Sequence, residues 1–155
     1  MILYLVRHGD AVAASVDPAR PLSNRGQVEI QRIARWAKND EVRVAEIRHS
    51  GKRRALETAR IIAAAIEPER GIREVRGLSP NGDADAVAES LETEVEDVMF
   101  VGHLPFMGIL ASLLLKDDPT HGPLSFPTGG LVVLHRSDQG WSLEHTVAPA
   151  RLPDR

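Results

Sequence analysis

The chain has 155 residues, a formal net charge of −3 and no cysteine. This length suits one domain with a proper core, so residues 1–155 are expected to form a single domain. The lack of cysteine excludes disulfides, thiolate metal sites and cysteine nucleophiles, and the negative charge argues against general binding to nucleic acid or anionic membranes. The start does not resemble a signal peptide, and no apolar run reaches the ~20 residues that span a bilayer, so we expect a cytoplasmic protein without membrane contact.

Apolar runs typical of short buried strands alternate with amphipathic segments. The predicted strands are Ile2–Val6, Val44–Ile47, Ile72–Val75, Val98–Val101, Leu131–Leu134 and Trp141–His145. The predicted helices run from the cap Ser23 to Lys38, then over 54–66, 84–91 and 106–115. This alternation predicts a three-layer α/β domain with a mostly parallel central sheet and helices on both faces.

Two histidines directly follow predicted buried strands. His8 comes after the first strand, beside Arg7, and His103 comes after the fourth. The second strand is followed by Ser50 and then by Arg54 at the start of a helix. Because ligands of open α/β sheets bind at the carboxyl ends of the strands, we expect these side chains to share one crevice.

This grouping suits a phosphoryl group. Two guanidiniums can each bind its oxygens in a fork, one imidazole can attack phosphorus, and the other can stabilise the equatorial oxygens. The attacking imidazole must be neutral, and the neighbouring arginine charges lower the pKa of His8. No pair of histidines stands at the close spacing of a helical or strand metal motif, so we expect no metal.

Four motifs resemble, in the same order, those of the histidine phosphatase superfamily, also called phosphoglycerate mutase-like. They are Arg7-His8-Gly9, Leu22-Ser23-Asn24-Arg25-Gly26, the segment 50–59 (SGKRRALETA) and Val101-Gly102-His103. Arg-His-Gly alone is a weak signal, whereas the four together are specific. The resemblance implies a phosphoglycerate mutase-like fold and His8 as the phosphorylated nucleophile. It also implies a phosphate pocket of Arg7, Arg54 and His103, with no metal or other cofactor.

Within the superfamily, the chain looks most like the short phosphohistidine phosphatases of the SixA type. The motifs that carry this likeness are Arg7-His8-Gly9-Asp10, Arg20-Pro21-Leu22-Ser23, Leu78-Ser79-Pro80-Asn81-Gly82-Asp83 and Gly102-His103-Leu104-Pro105. The likeness implies a phosphorylated protein as substrate, such as a phosphotransfer domain in a signalling relay, and phosphate as product.

One loop departs from the wider family. Members that act on phosphate esters typically carry a glutamate acid in the loop after the third strand, and the segment Leu78–Asp83 has none. An alkoxide leaving group needs a proton from a positioned acid, whereas an imidazole leaves far more easily. We therefore expect ester substrates to be penalised more than phosphohistidine. Asp83 or Asp85 could replace the acid, so a phosphomonoesterase acting on small esters stays an alternative, as does a non-catalytic phosphate-binding module.

Arg20 and the basic run before the second predicted helix each have two possible interpretations. Arg20 is either an outer phosphate ligand or part of an ordinary salt bridge. Positive charge at a helix N-terminus is unfavourable, so the run Lys52-Arg53-Arg54 favours anion binding. Only Arg54 fits the motif; Lys52 and Arg53 could instead attract an acidic partner or form a solvated helix start. His49 precedes Ser50 and could lie near the pocket, but it is interpreted as a satisfied loop residue. The other histidines are interpreted as structural or surface residues: His121, His135 and His145.

Overall fold

The predicted strands form one six-stranded sheet in the computed structural model, which describes residues 1–116, 118 and 124–153. They are β1 (Ile2–Arg7), β2 (Glu46–His49), β3 (Ile72–Glu74), β4 (Val98–Gly102), β5 (Leu131–Ser137) and β6 (Gly140–Val147). The order is β3-β2-β4-β1-β5-β6; the first four strands are mutually parallel, and β5 is antiparallel to both of its neighbours. The predicted α/β class with a mostly parallel sheet is confirmed.

Helices cover both faces of the sheet. In the described ranges these are α1 (Asn24–Asn39), α2 (Arg53–Ile66), α3 (Ala84–Ser90) and α4 (Phe106–Leu114). Alternate strand residues point to opposite faces. Tyr4 and Val6 therefore join the core under α1 and α2, whereas Leu3 and Leu5 join the core under α3 and α4.

The position of β1 next to β4 creates a crevice. The chain leaves β1 toward α1 on one face and leaves β4 toward α4 on the other. Because the two connections diverge, α1 and α4 leave a space above the carboxyl ends of these neighbouring strands. Such a topological switch point is where open α/β sheets bind their ligands.

The second strand lies two residues later than predicted. The prediction Val44–Ile47 followed the apolar run, whereas β2 is Glu46–His49. Its pairing with β4 continues through the polar residues, with His49 opposite Val101. Glu46 is buried because two arginines neutralise it: Arg48 Nε lies 2.7 Å and Arg73 Nη2 3.0 Å from its Oε1. The shift carries the end of β2 up to Ser50.

The start of α1 holds the loop after β1. Ser23 is the helix cap, as predicted: its Oγ accepts the N–H of Gly26 at 3.0 Å. The same hydroxyl donates to Asp10 Oδ2 at 2.6 Å. Gly26 lies so close to this loop that a Cβ atom there would be 2.1 Å from the main-chain oxygen of Asp10.

No helix in the described ranges has the length and hydropathy needed to cross a bilayer.

Two histidines interpreted as structural or surface residues lie on the antiparallel strands β5 and β6. His135 Nδ1 is 3.8 Å from Glu144 Oε1, and His145 stacks on Trp36 with ring centroids 5.8 Å apart. His121 lies outside the described residues.

Gly26→Ala is expected to destabilise the fold. The added methyl group would overlap the Asp10 carbonyl, which costs about 1–3 kcal/mol. This cost exceeds the roughly 1 kcal/mol that alanine gains over glycine inside a helix. Urea unfolding measures the difference in the free energy of unfolding.

Gly108 in α4 is the matched control, because its nearest neighbour is Leu104 Cδ2 at 3.9 Å. Gly108→Ala is therefore expected to stabilise the fold by up to about 1 kcal/mol. A Gly26→Ala variant at least as stable as the parent would contradict the overlap.

Candidate active site

The crevice brings the two predicted histidines together. The ring centroids of His8 and His103 are 4.9 Å apart, and the planes are tilted by 52°. Arg7 pairs with Gly102 in the parallel ladder, and the His8 amide donates to the Gly102 carbonyl at 2.9 Å. Both imidazoles are buried, with exposed fractions of 7% for His8 and 1% for His103. The two histidines predicted to lie together at the strand ends are therefore neighbours in the structure.

A main-chain contact fixes the orientation of His8. Its Nδ1 lies 2.7 Å from the carbonyl oxygen of Gly9. A carbonyl oxygen only accepts hydrogen bonds, so this geometry assigns the proton to Nδ1. The other nitrogen, Nε2, then carries the lone pair that a nucleophile needs.

Burial keeps His8 neutral. The pKa of His8 is lowered from 6.5 to about 4, and burial is the largest cause, against the opposing effect of the Gly9 hydrogen bond. The charges of Arg54, Arg7 and Arg20 contribute to the same lowering. The sequence predicted the direction from the arginines alone; the structure adds burial as the larger cause. At neutral pH the ring is unprotonated at Nε2 and able to attack an electrophile.

His103 is neutral for the same reason. Burial, followed by the proximity of His8, Arg54 and Lys52, lowers its pKa to about 3. Its Nε2 lies 2.6 Å from Ser50 Oγ. Its Nδ1 is buried and has no hydrogen-bond partner among the described residues.

The two predicted arginines contribute unpaired donors. Arg7 and Arg54 each have a buried Nε without a hydrogen-bond partner in the described part of the chain. The Nη1 of Arg7 is held by the Phe126 carbonyl at 2.8 Å. Burial lowers the pKa of both guanidiniums, and the charge of Arg20 adds to the effect on Arg54. Buried donors without partners are costly, and an oxyanion can satisfy several at once.

Arg20 approaches from the loop between β1 and α1. Its Nε donates to the Val12 carbonyl at 3.1 Å, and its backbone lies in the left-handed region with a φ of 48°. The charge of Arg20 lowers the pKa of His8, His103 and Arg54. The guanidinium is thus close enough to influence the whole site, and its role as an outer phosphate ligand stays a prediction.

Thr58 connects two parts of the site and was not among the predicted residues. Its buried Oγ1 accepts the N–H of Gly9 at 3.0 Å and donates to the Arg54 carbonyl at 2.8 Å. It thereby ties the loop of His8 to the helix of Arg54. The only sequence signal is its place one helical turn after Arg54, within the segment that resembles the family.

Three residues whose roles the sequence left open lie at the end of β2 and the start of α2. His49 is buried at the end of β2, and its Nδ1 accepts a main-chain N–H at 3.1 Å, so it is a satisfied residue. Lys52 precedes α2, and its charge is near enough to lower the pKa of His103. Arg53 is exposed and donates to Glu57 Oε2 at 3.0 Å.

The acids considered as proton donors lie on or beside α3. Asp83 caps this helix, accepting the Ala86 N–H at 3.1 Å, and Asp85 is exposed in its first turn. A third acid, Glu74, ends β3; a Cβ atom on Gly51 would be 2.4 Å from its Oε1. Within the described ranges, no group of three or more histidine or acidic side chains lies together as a metal site requires.

Comparison with known proteins identifies one family. The model of the histidine phosphatase superfamily (branch 1) matches residues 3–92. The structure of the protein histidine phosphatase SixA complexed with tungstate is 26% identical, with a TM-score of 0.85 over 97% of this chain and 98% of that chain. A candidate phosphohistidine phosphatase SixA from Agrobacterium tumefaciens is 30% identical, with a TM-score of 0.78 over 96% and 97% of the two chains.

The same fold occurs in an ester phosphatase. A mutant of the phosphoserine phosphatase from Entamoeba histolytica, in complex with phosphoserine, has a TM-score of 0.71. It is 16% identical over 94% of this chain and 95% of that chain, so the likeness concerns the fold alone. No curated protein matches the sequence.

Acidification from pH 7 to pH 5 is expected to destabilise the protein. The folded pKa values of about 4 for His8 and about 3 for His103 lie below the ordinary value of 6.5. The unfolded chain therefore binds more protons in this window, and stability that is complete above pH ~6.5 is lost as the pH falls. We expect a loss of about 2 kcal/mol per histidine at pH 5, measured by urea unfolding in phosphate-free buffer.

The variants His8→Gln and His103→Gln should each weaken this pH dependence. Ser90→Ala, which removes a hydroxyl on α3 that does not titrate in this range, is the control and should leave the pH dependence unchanged. An equal free energy of unfolding at pH 7 and pH 5 in the parent protein would show that the imidazoles are not held neutral by the fold.

Proposed function

Because the chain belongs to the histidine phosphatase superfamily, we propose that it is a phosphatase that hydrolyses phosphohistidine on a protein through a phospho-His8 intermediate. One set of contacts carries the proposal. Two buried, neutral imidazoles lie with their centroids 4.9 Å apart. Arg7 and Arg54 each have a buried Nε without a partner among the described residues, and both guanidiniums are near enough to lower the pKa of His8. This arrangement supplies a nucleophile together with the donors that a phosphoryl group requires.

The proposed reaction has two displacements. In the first, the lone pair of His8 Nε2 forms a bond to phosphorus in line with the leaving nitrogen of the substrate imidazole. The phosphorus–nitrogen bond breaks, and its electron pair leaves with the substrate ring, which can already be protonated near neutral pH. In the second, water attacks the phosphorus of phospho-His8. The phosphorus–nitrogen bond breaks, its electron pair returns to Nε2, and the oxygen and both protons of the water leave as part of inorganic phosphate (H2PO4⁻).

The surrounding donors stabilise the charge that moves through the transition state. Arg7 and Arg54 bind the phosphoryl oxygens, and His103 donates a hydrogen bond to them from Nδ1. Arg20 is proposed as an outer ligand, because its charge already influences both histidines. No step in this scheme requires a metal ion or another cofactor.

The preference for a protein-borne phosphohistidine rests on two features. The chain matches SixA along 97% of its own length and 98% of that chain, so it has no long insertion relative to SixA. In the loop after β3, Asp83 serves as a helix cap, and its carboxylate is already engaged with a main-chain N–H. A phosphotransfer domain as partner and a cytoplasmic location are part of the same proposal.

The first alternative is a phosphatase for small phosphate esters, favoured by the fold shared with the phosphoserine phosphatase. An ester leaves as an alkoxide and needs an acid within hydrogen-bond reach. The second alternative is a phosphate-binding module without catalysis. The lowered pKa of His8 argues against it, because binding an anion alone would be served better by a protonated ring.

His8→Ala is expected to abolish phosphate release, with a loss of at least about 10³-fold, because the nucleophile is removed. Phosphate release from a phosphohistidine-containing phosphotransfer domain measures the effect. His145→Ala, on the edge strand, is the control and should keep full activity. A His8→Ala variant with most of its activity would exclude His8 as the nucleophile.

The intermediate gives an independent readout. Brief exposure to a labelled phosphodonor, followed by rapid denaturation, should leave label on the parent chain and none on His8→Ala. Failure to label the parent with every phosphodonor would favour the binding module instead.

Phosphohistidine is expected to be turned over with a kcat/KM at least about 10² above that of phosphoserine or a sugar phosphate, because general-acid assistance to an ester is worth about 10²–10⁴. Steady-state phosphate release on the three substrates measures this ratio. Asp83→Asn keeps a helix-capping side chain but removes the acid, so it should leave phosphohistidine turnover unchanged. A strong preference for the esters would replace our substrate assignment with the first alternative.

A further inference from the structure

Ser50 links His103 to the start of α2. Its Oγ lies 2.6 Å from His103 Nε2 and accepts the main-chain N–H of Lys52 at 3.3 Å. Both side chains are buried, with exposed fractions of 7% for Ser50 and 1% for His103. A contact this short between two buried polar groups is a hydrogen bond in which one of the two atoms carries the proton.

The position of the proton follows from what His103 must do. Ser50 occupies Nε2, so any hydrogen bond from the ring to a phosphoryl oxygen has to come from Nδ1. Phosphoryl oxygens only accept, so Nδ1 must carry the hydrogen. The neutral ring has a single N–H, which leaves a lone pair on Nε2 to accept the hydroxyl proton of Ser50. The N–H of Lys52 donates to Ser50 Oγ, which leaves the hydroxyl proton of Ser50 available for donation to His103.

We propose that Ser50 is a positioning residue that holds His103 in the Nδ1–H tautomer, so that the ring presents a donor to the phosphoryl group. The catalytic consequence rests on the function proposed above, whereas the tautomer is a property of the free protein. Ser50 does not touch the reacting atoms; it acts through His103. In the opposite tautomer, the free Nδ1 lone pair would repel the incoming anion.

The same contact also restricts the ring. Ser50 follows β2 and Lys52 precedes α2, so the hydroxyl ties His103 to the helix that carries Arg54. A ring held at Nε2 keeps its Nδ1 direction constant relative to that guanidinium. Donors that are already oriented need no rearrangement when charge develops on the oxygens.

Nitrogen-15 NMR of the full chain, at pH 7 in phosphate-free buffer, tests the tautomer. The correlations between ring nitrogens and ring protons distinguish Nδ1–H from Nε2–H for a neutral histidine. We expect His103 to be Nδ1–H in the parent protein and to shift toward Nε2–H in Ser50→Ala. His8, held by a main-chain carbonyl, should be Nδ1–H in both and serves as the internal reference. An Nε2–H tautomer of His103 in the parent overturns the proposal without any variant.

Kinetics give the second readout. Ser50→Ala should lower kcat on phosphohistidine by about 10–100-fold, somewhat less than the loss of a direct oxyanion donor. KM should change by less than roughly threefold, because the arginines still bind the ground state. Ser50→Thr retains the hydroxyl and should recover the tautomer and most of kcat. Ser90→Ala, which removes a hydroxyl bonded to the Val87 carbonyl at 2.7 Å, is the matched control and should change neither the tautomer of His103 nor kcat.

The two readouts separate this inference from the proposed function. If the parent releases no phosphate from any donor but shows the expected tautomer and its shift, the function fails and the positioning role stands. If the parent is active while Ser50→Ala keeps the parent tautomer and kcat, the positioning role fails and the function stands. If Ser50→Ala does not fold, the His103 tautomer of the parent protein decides whether the positioning role stands. Ser50→Thr should then show the same tautomer as the parent and most of its kcat.

Discussion

The parallel pairing of β1 with β4 is the constraint on which the site depends. Because Arg7 is opposite Gly102 in the ladder, the next residue of each strand lies at the same level of the sheet. His8 and His103 are therefore neighbours, although almost a hundred residues of chain separate them. The helices that follow these strands pack on opposite faces, so the two imidazoles meet in a crevice instead of under a helix. The contacts of Ser50 and Thr58 then attach α2 and its arginine to this pair.

Burial in the site leaves the two arginines charged but the two histidines neutral. It lowers the pKa of Arg7, His8, Arg54 and His103 alike. The pKa of an arginine starts so far above neutral pH that the group stays charged after any ordinary lowering. The pKa of a histidine starts near 6.5, so the same lowering leaves its ring neutral at physiological pH. The same desolvated region thus holds permanent cations beside unprotonated imidazoles. The neutral chemistry of His8 depends less on its arginine neighbours than on its removal from water.

The sequence predicted the position of a residue where the pattern of its immediate neighbours was sufficient. His8 and His103 directly follow apolar runs, and Ser23 directly precedes an amphipathic helix. The shift of β2 was not predictable from apolar runs, because burial of Glu46 in a strand depends in part on Arg73, which is 27 residues away. The contacts of Ser50 and Thr58 were hidden for a related reason: their partners are 53 and 49 residues away. Only the register of the sheet brings them together.

The hydrogen-bond partners of the two histidines also affect the charge of the site. In the described part of the chain, His8 contacts a main-chain carbonyl and His103 a serine hydroxyl; neither is hydrogen-bonded to a carboxylate. A carboxylate on His8 would raise its pKa and add negative charge where a phosphoryl anion has to approach. The carbonyl of Gly9 fixes the same tautomer without that charge, which favours binding of the anion. In the proposed reaction, this arrangement would favour phosphate affinity over proton supply, which agrees with a leaving group that brings its own proton, as an imidazole does.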